Sequence, residues 1–329
     1  MQCLFTDLLG QPRAVSLLEA ALERRRIAPA YLFAGPAGVG RRLAALRFLE
    51  GVIAGPQPEA GAGRDAASAL RRRLEQGNHP DLLWVEPTYQ HQGRLVPASQ
   101  AGAEGVNRRT APQIRLEQVR EIARFLARHP VEAPGPLVVI DGAEAMAEAA
   151  ANALLKTLEE PGRGLLLLIS AAPEQLLSTI RSRCQQIPFL RLSTEHLEAV
   201  LARLPQDADD GPAEGQDPPE LRELAAGSPG ALLEHRRRWR ELPDGLPQRL
   251  LGLQQDPLEA LGLARDLSEA LEGEQQLWLL DWWQLALWRR HGPAVDLGRL
   301  QRLRSQLQAY VSPRLAWEVA LLQLGGCLN

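Results

Sequence analysis

The chain has 329 residues, 45% of them hydrophobic and 23% charged, which is typical of a globular protein large enough for two or three domains. Its formal net charge of −3 gives no overall signal for a nucleic-acid partner. The beginning of the sequence lacks a basic stretch followed by an apolar run, no segment approaches the ~20 apolar residues that span a bilayer, and the three cysteines lie far apart, so we expect a cytoplasmic protein with no membrane partner.

Predicted strands and helices alternate over residues 1–190. The first helix carries apolar residues at helical spacing, and the strand after it leads through a glycine-rich turn into a second helix. Because most of the predicted strands are apolar along their length, we expect a parallel sheet covered by helices on both faces. The predicted strands are 30–34, 82–85, 136–141, 165–170 and 187–189, and the predicted helices are 11–26, 41–53, 115–128, 144–160 and 174–181.

Three segments lack a periodic pattern and are predicted to be loops. Residues 55–66 are rich in Gly, Pro and Ala, and residues 87–113 are polar and broken by Pro and Gly. Residues 205–219 carry five acidic side chains and no basic one, which predicts a solvated linker. After residue 191 no strand is predicted, and helices are expected at 193–204, 219–226 and from 243 to the end.

The turn after the first predicted strand has the glycine spacing of a phosphate loop, at Gly35, Gly38 and Gly40. Backbone N–H groups of such a loop surround phosphate oxygens, the following lysine reaches the β and γ phosphates, and a hydroxyl holds Mg²⁺. Here Arg41 and Arg42 stand in those two places. Arg41 keeps the charge but is bulkier and planar, and Arg42 offers no oxygen to a metal. The turn is either a degenerate phosphate loop or an accidental glycine-rich turn.

A carboxylate ends the predicted strand 136–141. In an active ATPase with a phosphate loop of this kind, an acidic pair ends the corresponding strand. The first acid helps to hold Mg²⁺, and the second polarises the attacking water. Here Asp141 is followed by Gly142, Ala143 and Glu144, so the second acid is missing at its expected place. Asp141 is either a residual metal ligand or a strand-end surface carboxylate.

Several segments resemble the clamp-loader branch of the AAA+ family. The most specific are NALLKTLEEP at 152–161 and LLSTIRSRCQ at 176–185. The sequences FTDLLGQPRAVSLLEAAL at 5–22 and NHPDLLWVEP at 78–87 fit the same group, and LAAGSPGALL at 224–233 fits it weakly. The resemblance implies an α/β AAA+ module, with a parallel sheet flanked by helices, then a small helical lid and an all-α collar domain.

The domain boundaries that follow are 1–190 for the AAA+ module, 191–240 for the lid and 241–329 for the collar. Within the family, motor subunits carry an intact phosphate loop, the acidic pair and a sensor arginine in the lid. This sequence instead has Arg41-Arg42, then Gly142, and Gly230 where the sensor arginine is expected. The resemblance therefore implies the delta-prime type of subunit in the bacterial DNA polymerase III clamp loader, with no intrinsic ATPase activity, cofactor or metal.

The motif Ser182-Arg183-Cys184 carries the implied function. In clamp loaders its arginine is offered across an interface to the ATP of a neighbouring subunit, where it stabilises charge on the transferring γ-phosphoryl group. The other interpretation of Arg183 is a surface arginine that caps a helix C-terminus. The implied partners are gamma/tau-type motor subunits, a delta-type subunit, the sliding clamp and, through the assembled complex, primer–template DNA.

Two other functional classes remain as alternatives. One is an active motor subunit with unusual phosphate-binding residues. The other is a nucleic-acid-binding module that uses the basic run from Arg236 to Arg240, for which a solvated helix face is the simpler interpretation.

Further expectations concern zinc and the aromatic residues. The four zinc-binding cysteines of many family members are missing, since residues 51–85 contain no cysteine, and His79 with His91 cannot complete a tetrahedral site. Cys184 is predicted to pack as a small apolar residue. Tryptophans at helical spacing around residues 278–283 predict a buried helix, part of which could also be a subunit interface.

Overall fold

The computed structural model of the chain divides into two compact units, which we call the α/β unit and the helical unit. The α/β unit comprises Met1–Leu204 and Gly227–Gly230, and the helical unit comprises Pro205–Ala226 and Ala231–Asn329. The predicted boundary between a lid and a collar near residue 240 stays a prediction. The structure describes residues 4–55, 63–106, 110–204, 217–253, 255–309 and 312–327.

A five-stranded parallel sheet forms the centre of the α/β unit, in the order β2-β5-β6-β1-β7. Parallel neighbours need crossover connections, and these bring helices onto the faces of the sheet. The strand β6 is buried at every position, in agreement with its unbroken apolar sequence. The parallel sheet predicted from the sequence is therefore confirmed. The strands are β1 Ala30–Ala34, β2 Leu82–Val85, β3 Thr88–His91, β4 Arg94–Pro97, β5 Leu137–Asp141, β6 Leu165–Ser170 and β7 Gln185–Pro188.

The helices of the α/β unit pack on this sheet through small and branched apolar side chains. Proline at the first position of α1 fits the helix start, where no N–H partner is needed, and Ala14 and Leu18 of that helix are buried. The helices are α1 Pro12–Glu23, α2 Arg41–Ala54, α3 Gly63–Glu75, α4 Leu116–Leu126, α5 Glu148–Glu159, α6 Ser178–Arg181 and α7 Thr194–Leu201, with 3₁₀ turns at Ala143–Ala145 and Pro173–Gln175.

The loop predicted over 87–113 is wrong for residues 88–97, which form the antiparallel hairpin β3–β4. Gln92 and Gly93 both have positive φ, at 48° and 77°, as a two-residue hairpin turn of right-handed twist requires. Each strand has only four residues, too few for a recognisable alternation of polar and apolar positions.

Other predicted boundaries also shift. The predicted loop 55–66 is wrong from Gly63 onward, where α3 begins. The helix predicted at 144–160 starts only at Glu148, and the one predicted at 174–181 is a 3₁₀ turn followed by the short α6. Residues 205–216 of the predicted acidic linker lie outside the described residues.

Ion pairs link α3 to α2, in the part of the chain where the resemblance places zinc-binding cysteines. The buried Arg47 guanidinium donates to Asp7 at 2.8 Å and to Glu75 at 3.0 Å. The buried Glu50 carboxylate accepts from Arg71 at 2.9 Å. Each buried charge thus has an opposite charge within hydrogen-bonding distance, as burial of a charge requires.

The helical unit is built around its longest helix, α12, which is buried on more than one face. Trp278, Trp282 and Trp283 are all buried, so the predicted buried helix is confirmed. Among the described residues, no helix combines the length and apolar character needed to cross a membrane. The helices are α8 Pro219–Ala225, α9 Pro229–Arg240, α10 Leu246–Leu251, α11 Pro257–Ala270, α12 Gly273–His291, α13 Leu297–Gln308 and α14 Pro313–Leu324, with a 3₁₀ turn at Gly292–Ala294.

Tryptophan N–H groups fix the packing around α12. The Trp283 indole donates to the Leu250 carbonyl at 3.2 Å, and the Trp317 indole donates to the buried Gln276 amide at 2.9 Å. On α9, the ring of Trp239 lies 4.9 Å from that of Trp282. The helix α9 therefore packs with α12 within this unit.

Candidate functional site

The glycine-rich turn connects the carboxyl end of β1 to the start of α2, as the sequence predicts. Gly38 and Gly40 have positive φ, at 74° and 99°, a conformation that glycine adopts without steric cost. A Cβ at Gly35 would lie 2.2 Å from the Phe189 carbonyl oxygen. A cavity of about 350 Å³ opens beside the turn, lined by Gly38, Gly40, Arg41, Arg42, Asp141 and Ile169.

Arg42 turns its guanidinium toward the carboxylate that ends β5. One of its nitrogens lies 3.7 Å from Asp141, and the guanidinium lies 4.5 Å from the centre of the Trp84 ring. Burial raises the pKa of Asp141, and the guanidinium groups of Arg42 and Arg41 partly offset this effect. The Arg42 guanidinium thus faces the Asp141 carboxylate, which is the group that would help to hold Mg²⁺.

Arg41 is more enclosed than Arg42. Its Nη1 atom is inaccessible to solvent and has no hydrogen-bond partner among the described residues. Burial lowers the pKa of Arg41, and the nearby carboxylates of Glu144 and Asp141 partly restore it. The Glu144 carboxylate also accepts a hydrogen bond from the Ala171 amide at 3.0 Å. In the sequence Glu144 stands out of place for a second acid, yet folding brings its carboxylate close enough to raise the pKa of Arg41.

The segment 227–230 lies directly against the glycine-rich turn. Ser228 Oγ donates to the Ala37 carbonyl at 2.7 Å, and the Gly230 amide donates to the Gly38 carbonyl at 3.0 Å. A Cβ at Gly230 would lie 2.7 Å from the Gly38 Cα. Any side chain at this position, where the family resemblance expects a sensor arginine, requires the backbone to move.

These residues do not fit a magnesium–nucleotide complex. Mg²⁺ prefers oxygen ligands in near-octahedral geometry. The position that should supply a hydroxyl carries Arg42, and that arginine is directed at Asp141. The loop backbone is at the same time in contact with Gly230.

Arg183 lies just after α6 on the surface of the unit. Its Nη2 donates to Glu159 Oε1 at 2.8 Å and its Nη1 donates to the Thr179 carbonyl at 3.1 Å. The Thr179 contact is the helix-capping interaction expected of a structural arginine. The side chain is nevertheless 37% exposed, and a guanidinium has five N–H donors, so donors remain for another acceptor.

The neighbours of Arg183 in its motif have structural positions. Ser182 Oγ also donates to the Thr179 carbonyl, at 3.1 Å. Cys184 is buried in the core, which confirms the prediction that it packs as an apolar residue. Burial raises the pKa of the Cys184 thiol to about 11, so the thiol is protonated at neutral pH.

Arg183 and the glycine-rich turn lie at opposite edges of the sheet. The strands β1 and β7 are parallel neighbours, with Tyr31 opposite Gln185. The turn follows the carboxyl end of β1, whereas Arg183 precedes the amino end of β7. At about 3.3 Å per residue, a strand of this length separates the two by roughly 15 Å. Arg183 therefore cannot act on a group bound at its own turn.

The basic run on α9, considered above as a nucleic-acid surface, is neutralised by nearby acids. This pairing leaves little free positive charge and favours the solvated helix face. The ion pairs on α9 are Arg236 with Asp217, Arg237 with Glu234 and Glu241, and Arg238 with Glu234 and Glu274.

A different basic run was missed by the sequence interpretation. Arg24, Arg25 and Arg26 follow α1, and all three side chains are exposed. The signal was available as three consecutive arginines at the end of an amphipathic helix.

The parallel sheet, the turn after β1 and the helices that follow define the AAA+ fold class. A crystal structure of a DNA polymerase III gamma subunit-related protein from Thermotoga maritima shares this fold, with a TM-score of 0.52 and 15% identity over 95% of this chain and 99% of that one. The predicted fold class is confirmed.

The chain belongs to the family described as DNA polymerase III, delta subunit, whose model matches residues 10–193. Residues 195–324 match the model described as cyanobacterial DNA polymerase III delta prime, C-terminal domain. The DNA polymerase III subunit delta' of Bacillus subtilis is 33% identical over a match that covers 57% of this chain and 50% of that protein. The DNA polymerase III subunit delta' of Pseudomonas aeruginosa is 36% identical over a match that covers 63% of this chain and 55% of that protein. The chain thus spans about half the length of the curated relatives it matches.

Proposed function

We propose that this chain is a non-hydrolysing, delta-prime-type subunit of a bacterial clamp loader that offers Arg183 to the ATP site of a neighbouring motor subunit. In this function it helps to load the sliding clamp on primed DNA during replication. The observation that carries the proposal is that Arg183 is exposed at the amino ends of the strands, whereas the glycine-rich turn of the same chain lies at their carboxyl ends.

The loss of ATP hydrolysis is supported by three features at or beside the glycine-rich turn. Arg42 faces Asp141, Gly142 stands in place of the second acid, and Gly230 is in contact with the loop backbone. A motor subunit would need Mg²⁺ bound between these groups and a carboxylate to orient water. The proposal therefore differs from the active-motor alternative, in which the purified chain turns over ATP.

The partners follow from family membership and are part of the proposal. They are gamma/tau-type motor subunits, a delta-type subunit, the sliding clamp and primer–template DNA, all within a cytoplasmic complex. The C-terminal helices would join the subunits in a collar.

An arginine that one subunit offers to the ATP of its neighbour is called an arginine finger. The contacts of Arg183 support an arginine finger that is held in position before assembly. Two of its donors are used by Glu159 and Thr179, which restrict the rotamers of a long and otherwise free side chain. An arginine fixed in this way loses less entropy when its remaining donors meet a phosphoryl oxygen. Glu159 is itself more than half exposed, so it adds little stability as an ion pair.

Replacing Arg183 in the intact complex tests the proposal. Arg183→Ala should fold and assemble normally but lower the DNA- and clamp-stimulated ATPase rate, by about 10³-fold or more at the site it faces. The total ATPase rate of the complex then falls by the fraction that this one site contributes. Arg183→Lys should also be impaired, because an ammonium lacks the planar fork of donors.

The matched control is Arg163→Ala. Arg163 is exposed and precedes β6 at the same sheet edge, so its loss removes an equal charge from the same edge of the sheet. If Arg183→Ala leaves stimulated turnover and clamp loading unchanged, Arg183 only caps its helix.

A further inference from the structure

The run Arg24–Arg26 is a basic cluster that no carboxylate of the described residues pairs with. All three side chains are exposed, and none of them forms a hydrogen bond or ion pair with another described residue. The arginines of α9, by contrast, are held by neighbouring carboxylates. The free charge of Arg24–Arg26 is therefore available to a partner.

Topology places this cluster at the same sheet edge as Arg183. Arg24 is the C-cap of α1, and the chain then runs directly into the amino end of β1. That strand pairs in parallel with β7, which begins two residues after Arg183. The cluster and Arg183 thus flank the amino ends of two adjacent strands.

The acids at this edge do not cancel the positive charge. Glu23 precedes the cluster, and Glu160 with Glu159 precedes β6, but Glu159 is already paired with Arg183. Exposed tryptophan, tyrosine or phenylalanine side chains, on which bases could stack, are absent among the described residues at 23–31 and 159–165. The edge therefore suits a compact anion more than a single-stranded nucleic acid.

We propose that Arg24, Arg25 and Arg26 form, with Arg183, a basic edge that attracts the nucleoside triphosphate held by the neighbouring subunit. This inference rests on the proposed function, since it takes the same neighbour as the occupant. Arg183 touches the reacting phosphate, whereas the cluster raises the affinity of the two subunits while the triphosphate is bound. Long-range attraction between exposed charges acts on association and is screened by salt.

The conformation of Arg25 allows a clean variant. Arg25 has a φ of 52°, in the left-handed region that is unfavourable for a residue other than glycine. The triple variant R24Q/R25G/R26Q therefore removes three charges and at the same time relieves this strain. A loss of binding by a variant that is at least as stable as the native chain is not caused by misfolding.

The experiment measures the affinity of the purified full-length chain for gamma/tau-type subunits loaded with a non-hydrolysable ATP analogue, at low and high salt. The triple variant should bind about tenfold more weakly at low salt, and the difference should disappear at high salt. Arg183→Ala, in contrast, should lower the stimulated ATPase rate of the saturated complex. The control R13Q/R94Q/R120Q removes three exposed charges located elsewhere and should bind normally.

Each outcome bears on one of the two proposals. The basic-edge proposal is overturned if the triple variant and the native chain have equal affinity for the partner subunits at low salt. It is also overturned if the triple variant loses the same affinity for nucleotide-bound and for nucleotide-free partner subunits. A triple variant that assembles normally but weakens DNA binding by the complex assigns the cluster to DNA and also overturns it. If the triple variant behaves as expected while Arg183→Ala retains full turnover, the arginine finger fails and the basic edge stands.

Discussion

At the scale of single residues, the side chain of Arg42 stands beside the glycine-rich turn where a metal-binding hydroxyl is expected. Its guanidinium lies 3.7 Å from Asp141 and stacks on Trp84, so a positive charge already faces the carboxylate. A metal ion placed there would be repelled by this charge and would lack a hydroxyl ligand.

We therefore predict that the isolated chain shows no magnesium-dependent binding of ATP by isothermal titration and no turnover. Arg42→Thr restores a hydroxyl but should not restore turnover, because Gly142 still stands in place of the second acid. It should cost about 1 kcal/mol of stability or less, since the Arg42 side chain is 58% exposed and lies 3.7 Å from Asp141. Micromolar, magnesium-dependent affinity in the native chain would contradict the prediction for binding.

We predict that the buried His79 makes the α/β unit sensitive to mild acid. Its Nδ1 accepts from the Asp81 amide at 3.2 Å, and its surroundings are Arg73, Glu132 and Asp81. Burial lowers the pKa of His79, and the charge of Arg73 lowers it further, against the opposite effects of Glu132 and Asp81. Because the folded pKa lies below the unfolded one, the free energy of unfolding falls as the pH decreases through about 6.5.

His79→Asn tests this origin of the pH dependence. The asparagine oxygen can accept the same amide hydrogen but does not titrate. The variant should therefore lose less of its unfolding free energy than the native chain between pH 7.5 and 5.5, measured by urea denaturation. An unchanged slope with pH would show that His79 is not responsible.

At the scale of elements, the start of α9 and the glycine-rich turn fit each other through two glycines. Gly230→Ala places a Cβ 2.7 Å from the Gly38 Cα, which is backbone and cannot rotate away. Although alanine is the better helix former, the clash should destabilise the protein by about 1–3 kcal/mol.

Gly262→Ala is the matched control for this substitution. Gly262 lies inside α11, and a Cβ there would meet no atom within 4 Å. It should stabilise the chain by about 0.5–1 kcal/mol, so the two identical substitutions are expected to shift the melting temperature in opposite directions. If both stabilise, the first turn of α9 is not tightly held against the loop.

At the scale of the whole molecule, the C-terminal helices are expected to carry assembly. Of their five tryptophans between residues 278 and 317, four are buried inside the helical unit, whereas Trp288 is 45% exposed and accessible to a partner. The domain boundary predicted at residue 240 implies that a chain ending there stays folded. However, Trp239 packs on Trp282, and the His235 ring accepts a hydrogen bond from the Trp278 indole at 3.0 Å. Truncation there removes the partners of α9.

We predict that residues 1–240 keep a folded α/β unit, lose protection of α9 amides in hydrogen exchange and fail to join the complex at micromolar concentration. A chain ending at Leu204 serves as the comparison, since it lacks α9 altogether and should protect the same sheet amides. Assembly of the 1–240 chain would show that the interface lies outside the C-terminal helices.

The sequence by itself determined the order of most strands and helices, because unbroken apolar strands such as Leu165–Ser170 and the glycine spacing from Gly35 to Gly40 are local signals. It also located Arg183, through a motif that resembles a known family. It could not find the hairpin β3–β4, whose strands are too short to show a period, nor the helix start at Gly63.

Only the tertiary structure decided the relations between residues that are distant in sequence. The contact of Gly230 with Gly38 and the direction of Arg42 toward Asp141 depend on how separate segments pack. The position of Arg24–Arg26 at the same sheet edge as Arg183 depends on which strands are neighbours. Local periodicity reports whether a residue faces the core, but not which other segment packs against it. That choice is made by the strand order of the sheet, which brings β1 between β6 and β7.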